Sequence, residues 1–236
     1  MKLVTILYSG HLKTKHKDFV VKRLSTKYIS DILLLQDTVM EQLEDKASLE
    51  KLSQDEFRNI LEGNGLMIGA FVENKLFAIR ALLIPPIDDH HLGRFAGLTQ
   101  EELPKVIYQE VSLVHPEYRG NRMQQQLAHL IMNELENSQL DFQYVCCTVA
   151  PFNIPSLKDK FNQRMKIKAL EKVYGEKLRY VFIKDLLKED ELEREENKFI
   201  PMDDIEMQQR LLASEWEGIQ LVVNKDKFYI QYTKRP

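Results

Sequence analysis

The sequence predicts a mixed α and β fold: one core of about 180 residues in which helices and strands alternate, followed by a small appendage. Three observations carry this reading. The chain has 236 residues, 44% of them apolar and 29% charged, a globular composition with material for one sizeable core. Apolar residues recur at helical spacing in some stretches and as short runs bounded by turn residues in others. An acidic run, KEDELEREEN at 188–197, reads as a solvated boundary, so the expected division is a core over 1–187 and a C-terminal appendage over 188–236.

The elements follow in order. DFVVKRL (18–24) reads as a strand, and residues 27–43 carry Ile29, Ile32, Leu33, Leu35, Val39 and Leu43 close to the spacing of an amphipathic helix. A second helix is expected near 53–62. GLMIGAFV (65–72) and KLFAIRALLI (75–84) flank Glu73 and Asn74 as a hairpin of two largely buried strands, stopped by Pro85 and Pro86. Residues 86–105 lack apolar periodicity, and a connection that long in a compact domain is functional or mobile. VIYQEVSLV (106–114) is a strong strand; the punctuated loop HPEYRGNR leads to a helix over 123–137 with Met123, Leu127, Leu130, Ile131 and Leu135 on one face. FQYVCCTVA (142–150) is a strand, and the next helix, opened by Pro151, Asn153 and Pro155, has Ile154, Leu157, Phe161 and Met165 on one side. KLRYVFIKDL (177–186) closes the core. Beyond the acidic run come a helix at 203–214 and a hairpin, GIQLVV and KFYIQY, around residues 224–226.

Charge and cysteine usage exclude several classes. Thirty-three basic residues against 36 acidic ones leave a net charge of -3, no field for holding nucleic acid or anionic lipid. MKLVTILYSGHLKTKHK turns polar after Tyr8, and nowhere do 18 apolar residues run together. The expectation is a cytoplasmic protein with no nucleic-acid and no membrane partner. Cys146 and Cys147 are neighbours on a strand and point to opposite faces, so they read as buried reduced thiols; with no histidine at ligand spacing nearby, no metal is expected.

The chemistry concentrates where the strand ending at Val114 gives way to the helix beginning near Met123. A strand end followed by a helix start gathers unpaired backbone N–H groups, the outline of an anion cradle. Gly120 lets backbone approach a ligand, and Arg119 and Arg122 supply guanidiniums that pair with phosphates. Gly-Lys-Ser/Thr is missing, which excludes a P-loop, and so is G-x-G-x-x-G, which excludes a dinucleotide fingerprint. The competing reading is an ordinary turn with surface arginines.

VSLVHPEYRGNRMQQQLAHLIMNEL resembles the acyl-CoA signature of the GNAT superfamily of N-acyltransferases, in which a strand ending V-x-P-x-Y leads through R/Q-x-x-G-x-G/A into a helix. Val114, Pro116, Tyr118, Arg119 and Gly120 match the approach, while Arg122 and Gln124 stand where the family has small residues. TVAPFNIPSLKDKF is similar to a second family segment, with Asn153 and Ser156 at the start of the helix beside the pantetheine arm; Asn153 also suits a helix cap. The resemblance covers about residues 18–186. It implies an α+β fold with a mixed, mostly antiparallel central sheet flanked by helices, splayed between the strands ending at Val114 and near Ala150 to lodge a thioester. It also implies acetyl-CoA as co-substrate, held by Leu113, Val114, Arg119, Gly120, Asn121, Arg122, Met123, Gln124, Asn153 and Ser156, with the pantetheine amides adding to the backbone of Leu113 and Val114.

The activity implied is N-acetyl transfer to a primary amine by direct attack of the neutral amine, the enzyme positioning both reactants and managing two protons. Glu110, on the strand leading into the signature, is the candidate base, its pKa rising if burial is partial; the competing reading is an exposed strand carboxylate. The backbone N–H of Val114 is the candidate oxyanion donor. Where the family often has a tyrosine as general acid this sequence has Lys160, which reads as a solvated helix lysine or, as the lesser reading, as a proton donor, and the acid stays unassigned. His90 and His91, in the long loop, read as acceptor contacts or as solvated histidines, and His115 as structural. The alternative function is a non-catalytic acyl-CoA-binding sensor or interaction module. The appendage, with the single Trp216, reads as a cover for the acceptor site, as an edge that completes a partner's sheet or, preferred among these, as the contact of a homodimer.

Overall fold

The structure, a computed structural model, describes residues 5–43, 49–138, 140–173, 175–188 and 196–234. In chain order its elements are β1 (Ile6–Leu12), β2 (Lys17–Arg23), α1 (Ile29–Glu41), α2 (Gln54–Leu61), β3 (Gly65–Val72), β4 (Lys75–Leu83), α3 (Leu92–Phe95), β5 (Val106–Val114) and α4 (Met123–Glu136). There follow β6 (Tyr144–Val149), α5 (Ile154–Asn162), β7 (Lys166–Val173), β8 (Lys177–Asp185), β9 (Glu196–Pro201), α6 (Ile205–Ala213), β10 (Glu217–Asn224) and β11 (Lys227–Lys234). Two compact units are formed: Met1–Ile84 with Tyr108–Leu140, and Pro85–Ile107 with Asp141–Pro236.

In the first unit β1, β2, β3, β4 and β5 pair in that order, each antiparallel to the next. α1 and α2 pack on β3 and β4, as does α4. That cover explains why β3 and β4 read as near-continuous apolar runs, buried from Met67 to Val72 and from Phe77 to Leu82. Ile32, Leu35, Phe57, Ile60, Met67, Ile79, Val111 and Leu113 form one apolar cluster joining α1 and α2 to the sheet. Glu73 and Asn74 take φ of 50° and 64°, the left-handed pair of a two-residue turn whose twist matches the hairpin. α2 is opened by a capping box, Ser53 accepting from the Glu56 N–H while the Glu56 carboxylate accepts from Ser53.

In the second unit the order is β6, β8, β7, β10, β11, β9, again antiparallel throughout. The segment expected as an appendage extends this sheet: β10 meets β7 at Gly218 and Ile167, β10 and β11 form the terminal hairpin, and β9 lies along β11. The acidic run falls outside the described residues apart from its ends. Gln208 of α6 anchors this region from within. Its Oε1 accepts from the hydroxyls of Tyr180 (2.8 Å) and Tyr232 (2.9 Å), and its Nε2 donates to the carbonyls of Pro201 and Met202.

Three strands went unread in the sequence: β1, β7 and β9. Residues 86–105, read as irregular, contain α3 and a 3-10 turn over Leu103–Lys105.

Candidate active site

β5 is continuous with the site, and one irregularity in it fixes the placement of Glu110. Leu82 pairs with Gln109 and Ala81 with Val111, so Glu110 is an extra residue with no partner on β4. A bulge of this kind re-aims the side chain. The Glu110 carboxyl is half-buried in consequence, and loss of water, with a smaller push from the charge of Glu56, raises its pKa from 4.5 to about 7. Farther along, the His115 N–H donates to the Phe77 carbonyl at 2.8 Å. Strand alternation therefore turns the Val114 N–H away from β4. Leu113 is buried in the apolar cluster and Val114 half-buried.

After Val114 a 3-10 turn over Pro116–Tyr118 leads into the loop. His115 caps that turn by accepting the Glu117 N–H, a structural role. Gly120 has φ 82° and Arg122 φ 57°, so the chain twice enters left-handed backbone before α4 begins. A Cβ on Gly120 would come no nearer than 3.7 Å to Thr14, so glycine is required by its φ and not by lack of space. α4 has no side-chain cap, and its first bond back to the loop is from the Gln126 N–H to the Arg122 carbonyl. Among the described residues no acceptor serves the N–H groups of residues 120–125. Six consecutive donors at the positive end of a helix macrodipole suit a pyrophosphate, with Arg119 just before them and Arg122 among them.

Two supports of this loop were not legible in the sequence. The turn between β1 and β2 clasps it: the Thr14 N–H donates to Asn121 Oδ1 (3.1 Å), and Asn121 Nδ2 donates to Thr14 Oγ1 (2.7 Å) and the Tyr118 carbonyl (3.0 Å). Lys15 adds an ion pair to Glu117 at 2.6 Å and lies over the Tyr118 ring. Asn121, expected at the co-substrate, thus uses its side chain to shape the loop. From below, Arg80 of β4, only 1% exposed, donates to the Gln124 carbonyl in the first turn of α4 and to Gln109 Oε1. An arginine inside the apolar run KLFAIRALLI was the available signal for it. Met123 is buried in the core, so of the signature residues it contributes backbone alone.

Asn153 and Ser156 belong to the second unit. Asn153 caps α5, its Oδ1 accepting from the Ser156 N–H at 3.2 Å. Lys160 corrects the sequence reading: it is not solvated but buried, with Nζ 3.3 Å from the equally buried Asp159 carboxylate. The reason is spacing, since residue 160 lies three after Leu157 and shares its inward face. His91 is not solvated either; it is 1% exposed, its Nδ1 accepts the Gly93 N–H to cap α3, and burial holds its pKa below the ordinary value. His90 is exposed. Cys146 and Cys147 are buried thiols with no disulfide between them, and burial pushes the Cys146 thiol pKa up. Among the described residues no three His, Cys, Asp or Glu side chains gather as a metal site, and no helix is long and apolar enough to cross a membrane.

No family model matches the sequence, and no curated protein resembles it closely enough to match. Solved structures do resemble it. A GNAT-family acetyltransferase from Streptococcus pneumoniae is 12% identical at a TM-score of 0.54, over 71% of this chain and 99% of its own. yncA of Salmonella typhimurium, a putative acetyltransferase solved with acetyl-CoA, is 10% identical at 0.55, over 74% and 98%. The ribosomal-protein-S18-alanine N-acetyltransferase of Escherichia coli is 10% identical at 0.53, over 74% and 98%. At such identities the likeness is one of fold: this chain has the fold of GNAT acetyltransferases.

Proposed function

We propose that this chain, having that fold, is an N-acetyltransferase with acetyl-CoA as co-substrate and a primary amine as acceptor. The observation that carries the reading is the bulged, half-buried Glu110 with its pKa near neutrality, on the same strand that runs into a loop of six unclaimed N–H groups. A carboxylate in that condition is poised as a general base at neutral pH.

When bound, acetyl-CoA supplies an acyl group already activated as a thioester. The backbone of residues 120–125, with Arg119 and Arg122, holds the pyrophosphate, and the Thr14–Asn121 clasp keeps those donors aimed without reorganisation. The Val114 N–H, facing away from β4, is the donor for negative charge developing on the carbonyl oxygen. Glu110 in its ionised form takes the proton that the attacking amine must lose; as the amide C–N bond forms the thioester C–S bond breaks, and the thiolate leaves to be protonated from solvent. Leu113 holds the strand end rigid through the apolar core.

Heat-unfolding with acetyl-CoA tests the first half: at 100 times its Kd a ligand adds about 2.7 kcal/mol of stability, and Arg119→Ala with Arg122→Gly should remove most of that gain. Thiol release with a panel of primary amines tests the second. Stabilisation by acetyl-CoA without release for any amine would favour an acyl-CoA-binding module, the reading that a bulky Arg122 in the cradle supports. Neither stabilisation nor release would remove both readings.

A further inference from the structure

The second unit contains a cavity of about 700 Å³ that the acetyl-transfer reading does not use. Its walls come from the start of β6, the end of β8, the start of β7, the first residue of β10 and the turn after α3. Among the described lining residues five cations, Arg164, Lys166, Lys168, Lys184 and Lys188, face three carboxylates, Glu102, Asp185 and Glu217.

The carboxylates are already engaged. Glu217, whose side chain is 15% exposed, receives Lys166 at 3.3 Å and Lys168 at 3.4 Å. Asp185 has Lys188 at 3.6 Å. Glu102 accepts from the Tyr144 hydroxyl (2.6 Å) and from Thr99, bonds that hold its carboxyl below the usual range. Among the described residues Arg164 and Lys184 have no carboxylate at ion-pair distance. Surplus lysines on a convex surface are ordinary solvated charges. Here the two, Arg164 exposed and Lys184 half-buried, stand at a concavity whose paired lysines, Lys166 and Lys168, are only 18% and 29% exposed, and a concave low-dielectric wall concentrates the positive potential.

We propose that this cavity binds a small organic anion carrying a carboxylate or phosphate. The volume suits a metabolite-sized ligand better than a bare ion. Arg164 offers a guanidinium fork for bidentate pairing, the lysines supply charge, and Leu98, Ile183 and Leu186 give apolar wall for the organic remainder. The proposal is independent of acetyl transfer, because it uses no residue of that site.

The test is titration calorimetry at low ionic strength with two probes, citrate and glycerol 3-phosphate. Saturable one-to-one binding of either is expected, weakened at least fivefold in Arg164→Ser and in Lys168→Gln, retained in Lys168→Arg, and unaffected by saturating coenzyme A. Binding of one probe alone assigns the anion as carboxylate or phosphate. Absence of saturable binding to both, equal affinity in the neutralising variants, loss in Lys168→Arg as well, or full displacement by coenzyme A would each overturn the proposal.

Discussion

Replacing Glu110 by glutamine keeps the shape of the side chain and removes one titration, so its effect on stability follows from proton linkage. In the unfolded chain the carboxyl ionises around 4.5, whereas in the folded chain it holds its proton to about 7. Between those values the folded state binds the extra proton, and the stability of the native sequence falls as pH rises through the window. At about 1.4 kcal/mol per pH unit the full penalty is about 3 kcal/mol, complete above the folded value. Glu110→Gln escapes it. Urea unfolding should find the two proteins nearly equal at pH 4 and the variant about 3 kcal/mol more stable at pH 8. The same residue should act oppositely on catalysis: kcat/KM of the native protein rises through about pH 7 as the base ionises, and the variant loses a factor of about 100 or more. A stability difference that does not grow between pH 4 and pH 8 would refute the buried-carboxyl reasoning, and an unchanged pH–rate profile would refute the base.

Gly120→Ala places a Cβ on a left-handed backbone and should lower stability by about 1 kcal/mol while raising the KM for acetyl-CoA more than it alters kcat; Gly120→Asn, which tolerates that backbone, should recover most of both. Gln208→Leu leaves two buried tyrosine hydroxyls and two carbonyls short of a partner, and a urea midpoint change equivalent to about 3 kcal/mol is expected, with a loss under about 1 kcal/mol counting against the hub. Lys160→Met removes the counter-charge beside a buried carboxylate and should lower stability by about 3 kcal/mol, whereas Asp159→Asn combined with it should lose clearly less by the same measurement.

Much of this fold was legible because helices and inner strands leave an apolar signature. The hairpin of β3 and β4, strand β5 and helix α4 are found within a residue of the sequence reading, because their buried positions are apolar. The strands that escaped lack that signature for separate reasons. β1 and β9 are outermost in the pairing order of their own units and largely exposed, so pairing and not burial makes them strands. β7 has a register shift between Ile167 and Ala169 that breaks its alternation. The bulge at Glu110 hides in the same way, since an extra residue in one strand shows only when its partner is known. Arg119, Gly120 and Arg122 could be marked in the sequence as a candidate anion loop, but Thr14 and Arg80, which hold that loop from either side, are neighbours only after folding.

The clasp between Thr14 and Asn121 bears on how this domain tolerates transplantation. A graft that began at residue 18, where the recognisable pattern starts, would carry the whole signature and leave behind the hairpin tip that disciplines it. The donor loop would then have its sequence intact and its conformation less enforced, with Asn121 deprived of both bonds to Thr14. The residues that look most dispensable in the chain are therefore the ones a chimera must bring along.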